Sequence, residues 1–478
     1  MRFNLSSPAA SRRPLSIAAA ALLTTLAAAP LVRSARAQAP AQAPASARPR
    51  RPLTQDTYDS WRQLQGPTLS PDGRWVAYTL TPVVGDGEMV VRSTAAGGAE
   101  HRAPRGFTGR PQTRPAVDSV FTAPAPVWSA DSRHVLYLAY PPRAEAERAM
   151  RERRRGAEPQ QPRSSLAILS AADGRAETIP RVRSFRVPRD AGNWVAYLME
   201  PDSAAVPAAR RDSAAPAGAA AATTPGGAAR PVTADTGARP RRREYGSTLV
   251  VRDLATGAET RIADVLAYTV TDSGAWLGYT VSSRDEARDG AYVRSMRPST
   301  SSGQAGREYA LLAGHGNYKQ LTFDRAGAQV AFVSDRDESG APKPRYALYL
   351  ASLRAARGGS APAQARRLVA PDAAAAESLV VADRGRFAFT RDGSAIVFGL
   401  APLTPDSIPA DSLADKAVFD LWHYQEARLQ PQQRLEANRD RGRAFTAVYQ
   451  IARGRMLRVG SDTLSQVTVS DDGRFALA

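Results

Sequence analysis

The sequence predicts an all-β fold made of repeated four-stranded units, on three observations. First, the stretch Ser70-Pro71-Asp72-Gly73-Arg74-Trp75-Val76-Ala77-Tyr78-Thr79 comes back along the chain. It joins a tight Asp-Gly turn to a short strand that is apolar on both faces; glycine supplies φ > 0 and the carboxylate bonds nearby N–H groups. Second, its tetrapeptide Trp75-Val76-Ala77-Tyr78 recurs letter for letter as Trp194-Val195-Ala196-Tyr197. Third, the pattern keeps a spacing. Aligned on the second residue after the turn glycine (serine in the second copy), it falls at 75, 134, 194, 276, 329, 395 and 475, in steps of 59, 60, 82, 53, 66 and 80. One signature per roughly 50–60 residues fits a four-stranded blade plus a loop. The expected architecture is a β-propeller of about seven blades, within a range of about six to eight, with a short N-terminal helix. A β-sandwich with similar turns fits less well, because its turns do not repeat one signature.

The remaining copies are Ser129-Ala130-Asp131-Ser132-Arg133-His134-Val135-Leu136-Tyr137, Thr271-Asp272-Ser273-Gly274-Ala275-Trp276-Leu277-Gly278-Tyr279 and Asp324-Arg325-Ala326-Gly327-Ala328-Gln329-Val330-Ala331-Phe332. Two more are Thr390-Arg391-Asp392-Gly393-Ser394-Ala395-Ile396-Val397-Phe398 and Ser470-Asp471-Asp472-Gly473-Arg474-Phe475-Ala476-Leu477.

In chain order, residues 1–37 read as a secretory signal peptide. Arg2, Arg12 and Arg13 form a basic start, Leu15 to Leu31 is apolar and uncharged, and Ala35-Arg36-Ala37 marks cleavage before Gln38. The Arg12-Arg13 pair is also compatible with twin-arginine export. An uncleaved anchor is the alternative, and no other stretch is long and apolar enough to span a bilayer. The product is expected in the periplasm or outside the cell. Residues 38–52, rich in Ala, Pro, Gln and Arg, read as a flexible linker, and residues 53–478 as the propeller domain. Thr54 to Leu64 has a helix-start pattern, with Tyr58, Trp61 and Leu64 on one face expected to pack against the propeller.

Glu88-Met89-Val90-Val91-Arg92 is the strand after the first repeat, and 103–126 reads as a loop. Arg143 to Arg155 alternates arginine and glutamate; a solvated charged excursion is preferred there over an exposed helix. Leu166–Leu169, Asp173-Gly174 and Thr178-Ile179 form a hairpin signal, and Leu249–Leu254 with Thr256-Gly257 repeats it. Between them, about 201–243 has almost no large apolar residue and reads as a disordered insertion. Tyr318–Phe323 leads into the fifth repeat, Tyr346–Leu350 is the next strand, and 353–378 reads as a loop. Phe419-Asp420-Leu421-Trp422-His423-Tyr424 is expected in the core or between blades, with a substrate-contacting patch as the alternative. Ala447–Ile451 and Arg455–Leu457 form another hairpin. The chain stops at Ala478, inside the last repeat's strand, and the partners that strand needs would lie beyond it. We therefore expect a propeller incomplete at its C-terminus, in a fragment of a longer protein or a truncated gene product.

Composition narrows the function. The 478 residues carry a formal charge of +18, almost all from arginine, since the lysines are Lys319, Lys343 and Lys416. The arginines cluster in low-complexity segments rather than along one helix face, which points to a solvated basic surface and away from nucleic acid. The absence of cysteine excludes disulfides, a cysteine nucleophile and a thiolate metal site. No G-x-S-x-G elbow occurs, and Gly359-Ser360 is the nearest fragment. There is no H-E-x-x-H, and His101, His134, His315 and His423 lack metal-ligand spacing. His134 reads as a packed residue in a strand. The Asp-Gly pairs read as turns without a calcium-loop pattern, and Gly314-His315-Gly316 is too short for a phosphate loop. No catalytic, cofactor-binding or metal-ligating residue is therefore assigned.

The signal, the Tyr58-Asp59-Ser60-Trp61 start, the Ser-Pro-Asp-Gly-Arg-Trp-Val-Ala-Tyr repeats and the Phe419–Tyr424 cluster together resemble the N-terminal half of secreted bacterial prolyl oligopeptidase family serine peptidases, a group that includes dipeptidyl and acylaminoacyl peptidases. The resemblance runs from about residue 52 to the end. The single repeats are shared with Tol-type periplasmic propellers; the order of the motifs is more specific. It implies a propeller that limits access to short peptides, followed by a C-terminal α/β-hydrolase domain carrying a Ser-Asp-His triad. That domain is missing from this sequence, so no triad residue is carried over. No paired-glutamate motif for gripping a peptide N-terminus is evident, so dipeptidyl specificity is not implied. The resemblance thus implies the substrate-gating propeller of an exported serine peptidase, with short peptides and the missing hydrolase domain as partners. The alternative is a stand-alone Tol-like propeller that binds a protein or peptide.

Overall fold

The computed structural model describes residues 54, 58, 61–108, 123–154, 163–201, 243–296, 306–354, 362, 364–374, 378–403, 423–461, 463–464 and 467–477. The signal peptide, the linker and nearly all of the 201–243 insertion lie outside them. The chain divides into Met1–Thr54 and Gln55–Ala478, and the strands lie in the second unit.

Antiparallel strands follow one another in sequence order, unit by unit. The first blade is β1 (Arg62–Leu69), β2 (Trp75–Pro82), β3 (Gly87–Ser93) and β4 (Glu100–Gly106). The second is β5 (Val127–Trp128), β6 (His134–Ala139), β7 (Ser165–Ser170) and β8 (Ala176–Ile179). The third is β9 (Val182–Arg186), β10 (Trp194–Met199), β11 (Ser247–Asp253) and the first half of β12 (Glu259–Val270). Beyond Asp264, where φ is 59°, β12 bends and opens the fourth blade. That blade continues with β13 (Trp276–Val281), β14 (Gly290–Ser295) and β15 (Glu308–Ala313). The fifth is β16 (Tyr318–Phe323), β17 (Gln329–Ser334), β18 (Ala347–Ser352) and β19 (Arg366–Val369). In the sixth, β20 (Leu379–Val381) and β21 (Ala388–Phe389) both pair with β22 (Ala395–Pro402), which leads to β23 (Phe445–Gln450) and β24 (Arg455–Arg458). The seventh unit shows β25 (Thr468–Val469) and β26 (Ala476–Leu477). The fold is an all-β propeller, and each repeat signature opens the second strand of one unit.

The double-sided apolarity of those second strands has a direct cause. Side chains alternate across a strand, so a blade between two others buries both faces. Val330 and Phe332 of β17 pack toward the fourth blade, whereas Ala331 and Val333 pack toward the sixth. Val135 and Tyr137 of β6 face the first blade, and Leu136 and Leu138 the third. Among the described residues, a buried apolar cluster lies at each junction from the first blade to the seventh.

The turn works as a hydrogen-bonded cassette. Ser70 Oγ donates to Asp72 Oδ1 at 2.6 Å and accepts from Trp75 N at 3.0 Å, while Arg74 N donates to the same carboxylate at 3.1 Å. Ser129, Asp131, Arg133 and His134 repeat the set, as do Thr390, Asp392, Ser394 and Ala395. In the fifth blade the Asp324 carboxylate alone accepts from Ala328 and Gln329. The turn residue has φ of 62–72° in the copies at Gly73, Gly274, Gly327, Gly393 and Gly473, and 62° at Ser132.

Several local expectations are corrected. Arg143–Arg154 is a helix, not an irregular excursion; glutamates and arginines four apart, such as Arg143 and Glu147 at 2.7 Å, support it. Leu64 lies in β1, because Leu64 pairs with Leu80, so the expected helix ends before it. Tyr58, Trp61 and Leu64 are 41%, 50% and 56% exposed rather than packed. The expected loop 353–378 contains β19, recruited by pairing with β18, and 103–126 begins within β4. His423 and Tyr424 are exposed, not core; Phe419–Trp422 lie outside the described residues.

Candidate functional site

Strands alternate in direction, so the signature turns lie at one end of the propeller. The segments joining second to third strands, and one blade to the next, lie at the other. The second-to-third connections are where the chain spends its extra length: 140–164, 200–246, 335–346 and 403–444, the last carrying the helix Gln430–Arg441. Loops set on a rigid β scaffold are where binding groups concentrate.

A polar cluster at this end joins the segment entering β11 of the third blade to the fourth and fifth blades. Asp289 closes the 282–289 loop with a fully buried carboxylate, which accepts from Ser283 N at 2.9 Å and pairs with Arg243. Arg243 also reaches Glu286 at 3.1 Å. His315 enters from the connector between the blades, with Nδ1 3.0 Å from Glu286 and 4.0 Å from Asp289. Beside it, Asn317 donates from its backbone and side chain to buried Asp335 at 2.6 and 2.8 Å, and Tyr318 Oη donates to Gly314 O at 2.7 Å. Gly316 is required here: a Cβ would sit 2.9 Å from Arg336 Cα. The Gly314-His315-Gly316 run is therefore a tight crossover between blades.

The first strands of neighbouring blades meet around the axis, β1 touching β5, β12 touching β16, and β16 touching β21. Polar groups occupy them. Lys319 Nζ lies 2.6 Å from Asp383 Oδ2 and 5.4 Å from the Tyr346 ring centre, and Arg384 reaches the same carboxylate at 3.4 Å. Gln320 donates to Gly385 O at 3.2 Å. Ser184 and Tyr268 share a hydrogen bond of 3.2 Å, and burial pushes the Tyr268 phenol up to about 12. Away from the first strands, Arg105 of β4 is 2% exposed, donates to the Thr79 hydroxyl of β2 and the Pro124 carbonyl, and lies 6.0 Å from the Tyr137 ring centre. Burial lowers its pKa.

The histidines are not brought together. His101 stacks on Trp75 at 6.0 Å. His134 is half-buried at the head of β6, with Nδ1 buried and without a hydrogen bond. His423 Nδ1 accepts from Gln425 N. Among the described residues no cluster of three or more His, Cys, Asp or Glu is arranged to hold a metal. His315 is bracketed by carboxylates and a guanidinium, an arrangement suited to binding and to fixing loops. Sequence reasoning missed Arg243, Asp289 and Asp335 because their partners lie 46 and 18 residues away; the Gly-His-Gly run was the one visible sign. Gly359-Ser360 lies outside the described residues.

No protein-family model matches the sequence, and no curated protein matches it. Solved structures do. Prolyl oligopeptidase B from Galerina marginata is 11% identical over 86% of this chain and 45% of its own, with a TM-score of 0.36. The β-propeller domain of the Trilobed protease from Pyrococcus furiosus is 10% identical over 84% of this chain and 86% of its own, at 0.31. A putative TolB from Agrobacterium tumefaciens is 13% identical over 74% and 87%, at 0.30. The chain spans less than half the length of the prolyl oligopeptidase it is similar to.

Proposed function

We propose that this chain is the substrate-gating propeller of an exported serine peptidase acting on short peptides, and that it is not catalytic by itself. The polar axis supports this reading best. Strands β16 and β20–β21 bring Lys319, Gln320, Asp383 and Arg384 together where the first strands converge. An extended peptide has amides, a terminal amine and a carboxylate to offer such groups. The motif resemblance supplies the peptidase context, and the basic-apolar start followed by Ala-Arg-Ala supplies export.

The test uses the full chain. Prolyl and alanyl peptide substrates should remain intact, and a fluorophosphonate probe should leave the chain unlabelled. A fluorescent pentapeptide should bind, and Lys319→Gln should weaken it severalfold. Labelling by the probe, or binding of a folded protein without binding of the pentapeptide, overturns the reading. The second result would favour a Tol-like binding propeller.

A further inference from the structure

At the rim between the third and fourth blades lies a cleft of about 360 Å³, within the range of small-molecule sites. One wall is the outer half of β12, with Arg261 and Ile262. The other is built by β13, β14 and β15, with Tyr279, Val281, Tyr292, Arg294 and Glu308, and Arg288 stands at its mouth. Blades diverge outward, so a gap here is expected. Its chemistry is not that of a plain gap.

Tyr292 stacks on the buried Tyr279 ring at 5.7 Å and 15°, so a rigid ring backs it where it lines the cleft beside Val281 and Ile262. Tyr292 Oη donates to Arg288 O at 3.0 Å and fixes that loop over the cleft. Three guanidiniums face a single carboxylate, Glu308, and that carboxylate accepts the Tyr279 hydroxyl. Arg294 lies directly across the strand pair from Glu308, yet has no ion-pair partner among the described residues. Among the described residues Arg261 pairs with Glu259 alone, at 3.3 Å, and Glu259 also serves Arg252 and the Tyr197 hydroxyl. Arg288 is 3.9 Å from Asp264. The cleft is thus rich in guanidiniums whose carboxylate partners are shared or distant, with Tyr292, Val281 and Ile262 as its apolar part. Guanidinium forks match carboxylate and phosphate oxygens.

We propose that this cleft binds a small anionic ligand: a carboxylate or phosphate head on a flat, apolar body. The head meets Arg288 and Arg294, and the body lies along Tyr292, which the buried Tyr279 ring holds in place. This site is separate from the axis and does not depend on the peptidase reading.

Calorimetric titration of the full chain at low salt tests it, with phenyl phosphate, benzoate and inorganic phosphate as probes. Phenyl phosphate or benzoate should bind saturably at one site, and the tighter of the two identifies the head group. Inorganic phosphate should bind at least tenfold more weakly than phenyl phosphate. Arg294→Gln and the exposed Arg288→Gln should each weaken binding about tenfold, the loss of one charge-assisted contact, while Arg325→Gln in a distant turn should not. Circular dichroism checks that each variant is folded; the exposed Arg288 site keeps the test available if Arg294→Gln is not. Absence of saturable binding by both organic probes overturns the proposal. So does affinity unchanged in the cleft variants, or equal for phosphate with and without the ring; either means an adventitious ion only.

Discussion

Asn193 Nδ2 donates to Asp131 Oδ2 at 2.7 Å, across 62 residues of sequence, and ties the turn of the second blade to the head of the third. It is one of a series. Asp72 N donates to Ser132 Oγ at 3.1 Å, Asp190 N to Asp272 O at 2.8 Å, Gln329 Nε2 to Gly393 O at 3.1 Å and Arg391 N to Asp471 O at 2.9 Å. The repeated turns therefore hold strands within a blade and also link blades around the ring. Replacing Asn193 by alanine removes a bond to a partly buried carboxylate. Denaturant unfolding should show a loss of about 1–2 kcal/mol.

Ser132 stands where the other copies with this geometry place glycine, and it holds φ at 62°. Its hydroxyl accepts the Asp72 N–H of the preceding blade. Ser132→Ala keeps the backbone strain and loses the bond, so it should cost about 1 kcal/mol. Ser132→Gly loses the same bond but relieves roughly 1 kcal/mol of left-handed strain, so its denaturation midpoint should stay near that of the parent. Equal losses in the two variants would show that the strain is negligible.

The cassette makes stability depend on pH. Burial alone would raise the Asp131 pKa, but bonds from Ser129, Arg133 N and Asn193 more than offset it and hold it low. The Ser70 and Ser470 hydroxyls do most to lower Asp72 and Asp472, and the Ser394 N–H does most for Asp392. Each folded pKa lies below the unfolded value of about 3.9. The stabilisation is therefore complete above that value and lost as pH falls through the folded values. Melting temperature should be level near neutrality and decline below about pH 4. Asp131→Asn should flatten part of the decline.

Arg243 carries a buried charge partner. Asp289 is fully buried, so Arg243→Ala strands its carboxylate, at a cost of about 3–5 kcal/mol. Glu286→Gln alters a mainly exposed partner of the same arginine and should change stability by less than about 0.5 kcal/mol. Chemical denaturation of both variants separates a structural Asp289–Arg243 pair from a surface network.

Phe332 lies between the fourth and fifth blades and stacks on Tyr349 at 5.5 Å. Phe332→Ala should cost about 3–5 kcal/mol. Leu435→Ala, on a side chain 86% exposed, should be neutral within about 0.5 kcal/mol. A neutral Phe332→Ala would mean that blade packing is not the main source of stability in a chain without disulfides.

Residues adjacent in the chain were enough to reveal the repeat, its seven copies and the strand that each turn opens. All of these rest on near neighbours: a carboxylate and hydroxyl capping N–H groups within five residues, and a run of apolar side chains. Which residues share a site was settled by the packing of the blades instead. Asp289 meets Arg243, Asp335 meets Asn317, and Arg261 shares a cleft with Arg288 and Arg294 because blades bend back beside one another, over distances that no local pattern encodes. Packing also resolved the cases where local signals competed. The Tyr58–Leu64 stretch has helical spacing, yet pairing of β1 with β2 claims Leu64. Arg143–Arg154 is the reverse case: it is too polar to reveal a buried face, and ion pairs at four-residue spacing, a local feature, support its helix. Hydrogen bonding to a neighbouring strand and burial against a neighbouring blade outweigh local propensity, since both recover backbone and apolar surface that propensity alone leaves in water.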